Sequence, residues 1–319
     1  MNLSAGRAAG CGAIVWLVFC GGTIRDVRDG RWAYALLLLA VLVLVPLGLE
    51  VIGRTVADSA EQRWRRYAQC LQFPAAVLLL LSCSLPAGSV GALFALPWTV
   101  VCTLCALSGC IRSVKYAVHS SAHERCVTAS LLFLGVGGGW VLTDRAGFHP
   151  LDFPDHIVTL TAVHFHFAGF VLPLVTGFVS RALGVSSLAR IAAVGVVAGV
   201  PAVAIGITST QLGWSPVVEA IAGGLLAVSG GVVGTLHLRI AFCPGDSAGV
   251  RALFAIAGAS LLFAMVLAGS YALRFFALPF PWLDVPWMRG LHGTANAIGF
   301  ALPAVLGWWL KSLKTTESR

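Results

Sequence analysis

The stretch "TAVHFHFAGFVLPLVTGF" (161–178) places His164 and His166 two positions apart in a run whose only other polar residues are Thr161 and Thr176. An ionisable side chain in hydrocarbon is costly, so each imidazole is a functional candidate by default. Imidazole can ligate zinc or non-haem iron, act as an axial haem ligand, or carry a proton near neutral pH. On an ideal helix, residues two apart differ by about 200°, so this pair cannot chelate one ion. Each histidine must find its own partner, on a neighbouring helix or on a cofactor.

The elements that hold them follow from composition. Hydrophobic residues make up 58% and charged residues 11% of the 319-residue chain, and the mean hydropathy is +0.89. Apolar blocks near bilayer length fall at about 8–23, 33–52, 70–86, 88–109, 126–142, 156–180, 187–208, 215–241, 250–273 and 292–311. They predict an all-α fold, a polytopic transmembrane bundle of about ten helices forming a single integral membrane domain over residues 1–319. The formal net charge of +8 then concerns orientation in the bilayer, and no nucleic-acid partner is expected. "AIVWLVFCGG" (13–22) has the outline of a signal peptide, but its apolar core is short and Phe19 precedes Cys20 where a small residue is needed. It is read as a first membrane segment. The cysteines lie mostly within apolar blocks, among them Cys83, Cys102, Cys105 and Cys110, where a thiol packs as a small hydrophobe. The C-x-x-C of Cys102 and Cys105 lacks the second pair or nearby histidine that zinc needs.

Basic residues assign the sides. Four arginines in 54–66, then Arg112, Lys115, Arg125, Arg181, Arg190, Arg239, Arg251, Lys311 and Lys314, all fall on one side if the chain alternates from the second block onward. By the positive-inside rule that side, and the C-terminus with it, is cytoplasmic. The three arginines of "RDVRDGR" (25–31) fall outside and leave the first segment's topology open.

An internal echo accompanies this pattern. "GFVLPLVTGF" (169–178) is similar to "GFALPAVLGW" (299–308), pairing Pro173 with Pro303, and "VPLGLEVIGR" (45–54) is a looser third copy around Pro46. The copies are four blocks apart. A four-helix parallel repeat followed by one extra helix would produce this, as would chance likeness between apolar helices rich in glycine and proline.

Other polar groups collect at the depth of the two histidines. Glu219 lies one turn into the eighth block, and His292 and Asn296 open the tenth, sharing a face with Gly299 and Pro303. Glu219, Gly223, Gly230, Gly234 and His237 share a face of the eighth, where glycine gives close helix packing or room for a ligand. The expectation is an outward-opening pocket of His164 or His166, Glu219, His292 and Asn296. Its histidines and carboxylate are candidate ligands for zinc or iron, with His164 and His166 also candidates for haem. A secondary set, Asp144, His149, Asp152, Asp155 and His156, occupies the loop before the sixth block. Glu50 is expected to pair with Arg54 one turn on. His237, near a helix end, is expected to snorkel or hydrogen-bond. No role is assigned to His119 or His123.

Two family resemblances arise at these motifs. "HFHF" is similar to the H-F-H-Y of haem–copper oxidases, where histidines on opposite faces of one helix ligate two haems. The chain departs from that pattern: Phe167 replaces the tyrosine, and neither the His-Pro-Glu-Val-Tyr segment nor the adjacent histidine pair for copper is present. "TAVHFHFAGFVLP", "HGTANAIGFALP" (292–303) and the layout of nearly the whole chain resemble the YndJ-like family of bacterial membrane proteins. That resemblance implies a multi-pass protein of the bacterial inner membrane and puts His164, His166, His292 and Asn296 in one site. Three functions fit these residues. The first is a metal-, haem- or acid–base-dependent enzyme acting on a small or lipophilic molecule. The second is a transporter of a small solute or lipid, coupled to protons through its histidines. The third is a membrane scaffold or accessory subunit that binds a partner subunit.

Overall fold

The computed structural model describes residues 4–55, 59–115, 121–184, 186–277 and 280–317. His119 lies outside them. The described chain is helical, with no strand among these residues. Its main helices are α1 (Ala5–Thr23), α2 (30–55), α3 (Ser59–Cys83), α4 (Ser89–Lys115), α5 (Ala122–Ala146), α6 (Asp155–Ala182), α7 (Ser187–Gln211), α8 (Val217–Ala241), α9 (Ala248–Ala272) and α10 (285–317). Each overlaps one apolar block. Among the described residues eight of these helices are long and apolar enough to cross a membrane. The largest boundary difference is at α3, expected from residue 70 but helical from Ser59, where Glu61 pairs with Arg112 of α4 and Arg65 reaches Leu49 O of α2. Polar side chains stop several helices at their N-termini: Ser4 accepts from the Arg7 N–H, Ser186 from Ala189, and Asp284 from Trp287.

The chain divides into two compact units. Unit 1 is Met1–Ser120 with Val127–Val171, and unit 2 is Ser121–Cys126 with Leu172–Arg319, so the boundary passes through α5 and α6.

In unit 1, α2 is apolar all round and nearly every residue of it is buried, as expected of a core helix. Gly12 lets α1 lie against it: a Cβ there would stand 2.3 Å from the Leu42 carbonyl oxygen, and Trp16 donates its indole N–H to Ala35 O at 2.6 Å. α4 and α5 approach through Gly135 and Gly138, whose added Cβ atoms would meet Ala106 and Cys102 at 2.6 and 2.4 Å. Cys102 and Cys105 are buried free thiols.

In unit 2, α8 lies between α7 and α9. Its glycine face is a packing surface: a Cβ on Gly230 would strike Met265, and Gly234 and Gly258 face each other's carbonyls so closely that neither has space for one. Ile191, Val194, Ile221, Leu225, Phe263 and Val266 point outward, where a bilayer supplies acyl chains.

Three helices depart from α geometry in the same register. In α2 a π-helical segment, Ala40–Leu44, precedes Val45–Pro46. In α6 the segment Phe165–Val171 precedes Leu172–Pro173. In α10 the segments Met288–Gly293 and Ala295–Ala301 precede Leu302–Pro303. Each proline of the sequence echo is therefore the second residue after a π segment. Proline has no N–H and its ring collides with the carbonyl four residues back. A wider turn relieves that contact, with the N–H of Val45 reaching Ala40 O and that of Leu302 reaching Ala297 O.

Candidate functional site

His164 and His166 stand at the start of the π segment of α6, in unit 1. His166 is wholly buried. Its Nδ1–H donates to Ala162 O at 2.8 Å, one turn back, and its Nε2 accepts the indole N–H of Trp98 at 3.1 Å. The two rings are nearly parallel, with centroids 5.9 Å apart and planes at 26°. Gly137 closes the remaining side, since a Cβ there would stand 3.0 Å from His166 Nδ1. Both ring nitrogens are thus engaged within unit 1. His164 is half-buried, its ring edge-on to Phe165.

Unit 2 contains a matching pair. His237, also wholly buried, donates from Nδ1 to Val233 O at 3.0 Å and accepts from Trp308 Nε1 at 3.5 Å. It sits among Phe254, Phe300 and Trp308, so it hydrogen-bonds rather than snorkels. Each unit therefore holds one buried imidazole fixed by a carbonyl one turn back and by an indole. His123, in the unit-2 segment, packs against Phe178.

Glu219, His292 and Asn296 all belong to unit 2. Glu219 pairs with Arg274 at 2.5 Å, whose guanidinium also lies over the Tyr271 and Phe275 rings at 4.2 and 4.1 Å. His292 does not share that carboxylate. Its Nδ1–H donates to Ala264 O on α9 at 2.9 Å, and the Asn296 amide nitrogen lies 3.1 Å from its Nε2 and 3.0 Å from its backbone oxygen. Both residues are half-buried within the π segments of α10. The Asn296 amide oxygen takes no donor among the described residues and is not enclosed, so it remains a hydrogen-bond acceptor on α10.

Of the secondary residues, Asp144 is part of a buried network in unit 1 rather than a loop residue. It accepts from Thr159 at 2.5 Å and Tyr34 at 3.0 Å. The neighbouring Arg145 donates to Tyr34, Ser82 and Leu85 O. His149 pairs with Asp155 at the surface, Asp152 is exposed with a positive φ, and His156 is exposed. Glu50 pairs with Arg54 at 2.5 Å. Within either unit, among the described residues, no three His, Cys, Asp or Glu side chains gather to hold a metal ion. The expected set of His164, His166, His292 and Glu219 draws on both units. Both nitrogens of His166 are engaged within the protein, and Glu219 is bound to Arg274.

Trp98, Arg274 and Gln72 were not singled out in the sequence. Gln72 on α3 donates to Val41 O at 2.6 Å, the carbonyl whose π partner would be the missing N–H of Pro46. A polar amide within an otherwise apolar block was the available signal.

Helices of this length and apolarity, with lipid-facing exteriors and internally satisfied backbones, define a multi-pass α-helical membrane protein set in a lipid bilayer. The chain belongs to the family of YndJ-like proteins, whose model matches residues 35–300. It is 27% identical over 311 residues to the "Uncharacterized membrane protein YndJ" of Bacillus subtilis (strain 168), an alignment covering 96% of this chain and 54% of that protein. The chain thus spans about half the length of that relative. No solved structure matches it.

Proposed function

We propose that this protein is a transporter of a small solute and that His292 and Asn296 on α10 contact the solute. The observation that carries this reading is the half-buried, hydrogen-bonded pair these two residues form on the π-interrupted turns of α10. Interrupted helices place polar groups at membrane depth, and transporters use them for substrate and coupling-ion sites, often in repeated architectures. Three proline-terminated π segments, at matching places in an internal sequence echo, fit that pattern. The neutral His292 and the acceptor oxygen of Asn296 suit a solute bearing a hydroxyl or ammonium donor. The imidazole could also take up a proton as the solute moves. An acid–base enzyme is less well supported, because Glu219, the carboxylate expected beside His292, is held by Arg274. The basic loops favour the inner membrane with the C-terminus cytoplasmic.

The test uses the full chain reconstituted in liposomes under an imposed proton gradient. The vesicles are offered a defined mixture of amino acids, sugars, nucleosides and organic acids, and their contents are measured by mass spectrometry. At least one solute should accumulate relative to protein-free vesicles and lose that accumulation in Asn296→Leu. No accumulation under either gradient direction, or equal accumulation by the variant, would refute the reading.

A further inference from the structure

One group of charges in unit 1 plays no part in the transport reading. The end of α2, the first turns of α3 and the last turns of α4 come together there. Arg112 on α4 donates to Glu61 Oε1 on α3 at 2.8 Å, and the two side chains are 0% and 1% exposed. Arg65, one turn beyond Glu61, is itself only 3% exposed. Among the described residues its one acceptor is Leu49 O at 3.5 Å, a long contact, and its Nε has no partner. The Glu61 Oε2 atom is likewise unpartnered among the described residues. Gly53 makes the space, since a Cβ there would lie 2.1 Å from Arg65 Nη1.

Among the described residues the donors of Arg65 are incompletely met, and Arg66 adds positive potential at Arg65. A buried charge without a partner is strongly unfavourable, whereas an oxyanion satisfies a guanidinium through two parallel N–H bonds. The surroundings match a membrane interface. Arg63 and Arg66 are exposed on the same turns, and Trp64 and Tyr67 form an edge-to-face pair at 6.1 Å, with Tyr67 half exposed. Amphipathic aromatic residues beside basic ones are typical of headgroup depth.

We infer that Arg65, with Arg66 at its rim, binds a phosphate-type oxyanion at this end of unit 1, supplied by an anionic phospholipid headgroup or as free phosphate. The anion occupies the Arg65 donors that the described residues leave open. Arg112 keeps Glu61 engaged, so that the carboxylate does not compete.

The test titrates the full-length protein in a non-ionic detergent with phosphatidylglycerol, phosphatidylcholine or sodium phosphate at constant ionic strength. Thermal unfolding and native mass spectrometry provide the readouts. Phosphatidylglycerol should raise the unfolding midpoint and stay bound while phosphatidylcholine does neither. Arg65→Gln should weaken binding by about tenfold, the equivalent of one charge-assisted contact. Stabilisation by phosphate alone, lost in Arg65→Gln, identifies the free anion as the source; stabilisation by the anionic lipid alone identifies the headgroup. Should Arg65→Gln fail to fold, the exposed Arg66→Gln reports instead, with binding roughly two- to threefold weaker. Indifference of the native protein to both anions, or undiminished binding in the variants that fold, overturns the inference. Neither result depends on solute transport.

Discussion

The π segments of α2 and α10 begin from the same problem and end differently. Each turn widens ahead of a proline, Pro46 or Pro303, at the second residue beyond it. In α2 the freed Val41 carbonyl is taken by Gln72, and Ala40–Leu44 are apolar and buried to the last residue. In α10 the widened turns carry His292 and Asn296, half-buried, with an acceptor oxygen left unfilled. A proline-widened turn is thus not functional in itself. What differs is whether the polar groups at the widened turn are all taken up by partners among the described residues. The segment of α6 belongs with α2 here, because Trp98 and Ala162 O occupy both nitrogens of His166.

If α2 and α6 are closed structural copies, damage to their plugs should cost stability. The largest effect is expected for Trp98→Ala, which opens a cavity and strands His166 Nε2. The loss should fall toward the low end of about 3–5 kcal/mol, because lipid makes the removed contact one of packing rather than of transfer from water. Thermal or denaturant unfolding in detergent measures it. A loss below about 1 kcal/mol would show that His166 readily finds another partner and is not fixed as described.

Gln72→Leu should come next, destabilising by about 1–3 kcal/mol, the cost of a buried carbonyl without a donor. The comparison sharpens if Pro46→Ala is then added. Alanine at that position restores an N–H that can reach back to Val41, so the double variant should recover about 1 kcal/mol relative to Gln72→Leu. Strict additivity of the two changes would mean that Gln72 does not substitute for the proline's missing donor.

The helices were legible because bilayer length and apolarity leave little freedom, and each of the ten blocks overlaps a helix. The proline echo was legible as well, as repeated spacing, but the widened turns before it were not, since nothing in composition distinguishes a π turn from an α turn. At the sites, residue types were readable and partners were not. Trp98 lies 68 positions from His166, and Arg274 lies 55 from Glu219, so only tertiary packing pairs them. Angular reasoning separated His164 from His166 but could not identify an indole, rather than a metal, as the partner. The charged start of α3 was set outside the bundle because hydropathy weighs an arginine alike whether it is solvated, as Arg63 is, or buried beside a carboxylate, as Arg65 is.

The smallest stability effect is expected where the functional effect is greatest. Asn296→Leu removes an amide that, among the described residues, bonds to the helix turn carrying it, to His292 Nε2 and His292 O. The backbone of α10 does not rely on it as α2 relies on Gln72, and leucine is tolerated at a half-buried position. Unfolding should therefore shift by less than about 1 kcal/mol, while solute accumulation in liposomes falls to the protein-free level. A variant as unstable as Gln72→Leu would place Asn296 among the structural plugs and make α10 a third closed copy. A stable variant that has lost accumulation would instead separate the open turn from the two closed ones, because the same backbone irregularity would then serve folding in α2 and α6 and binding in α10.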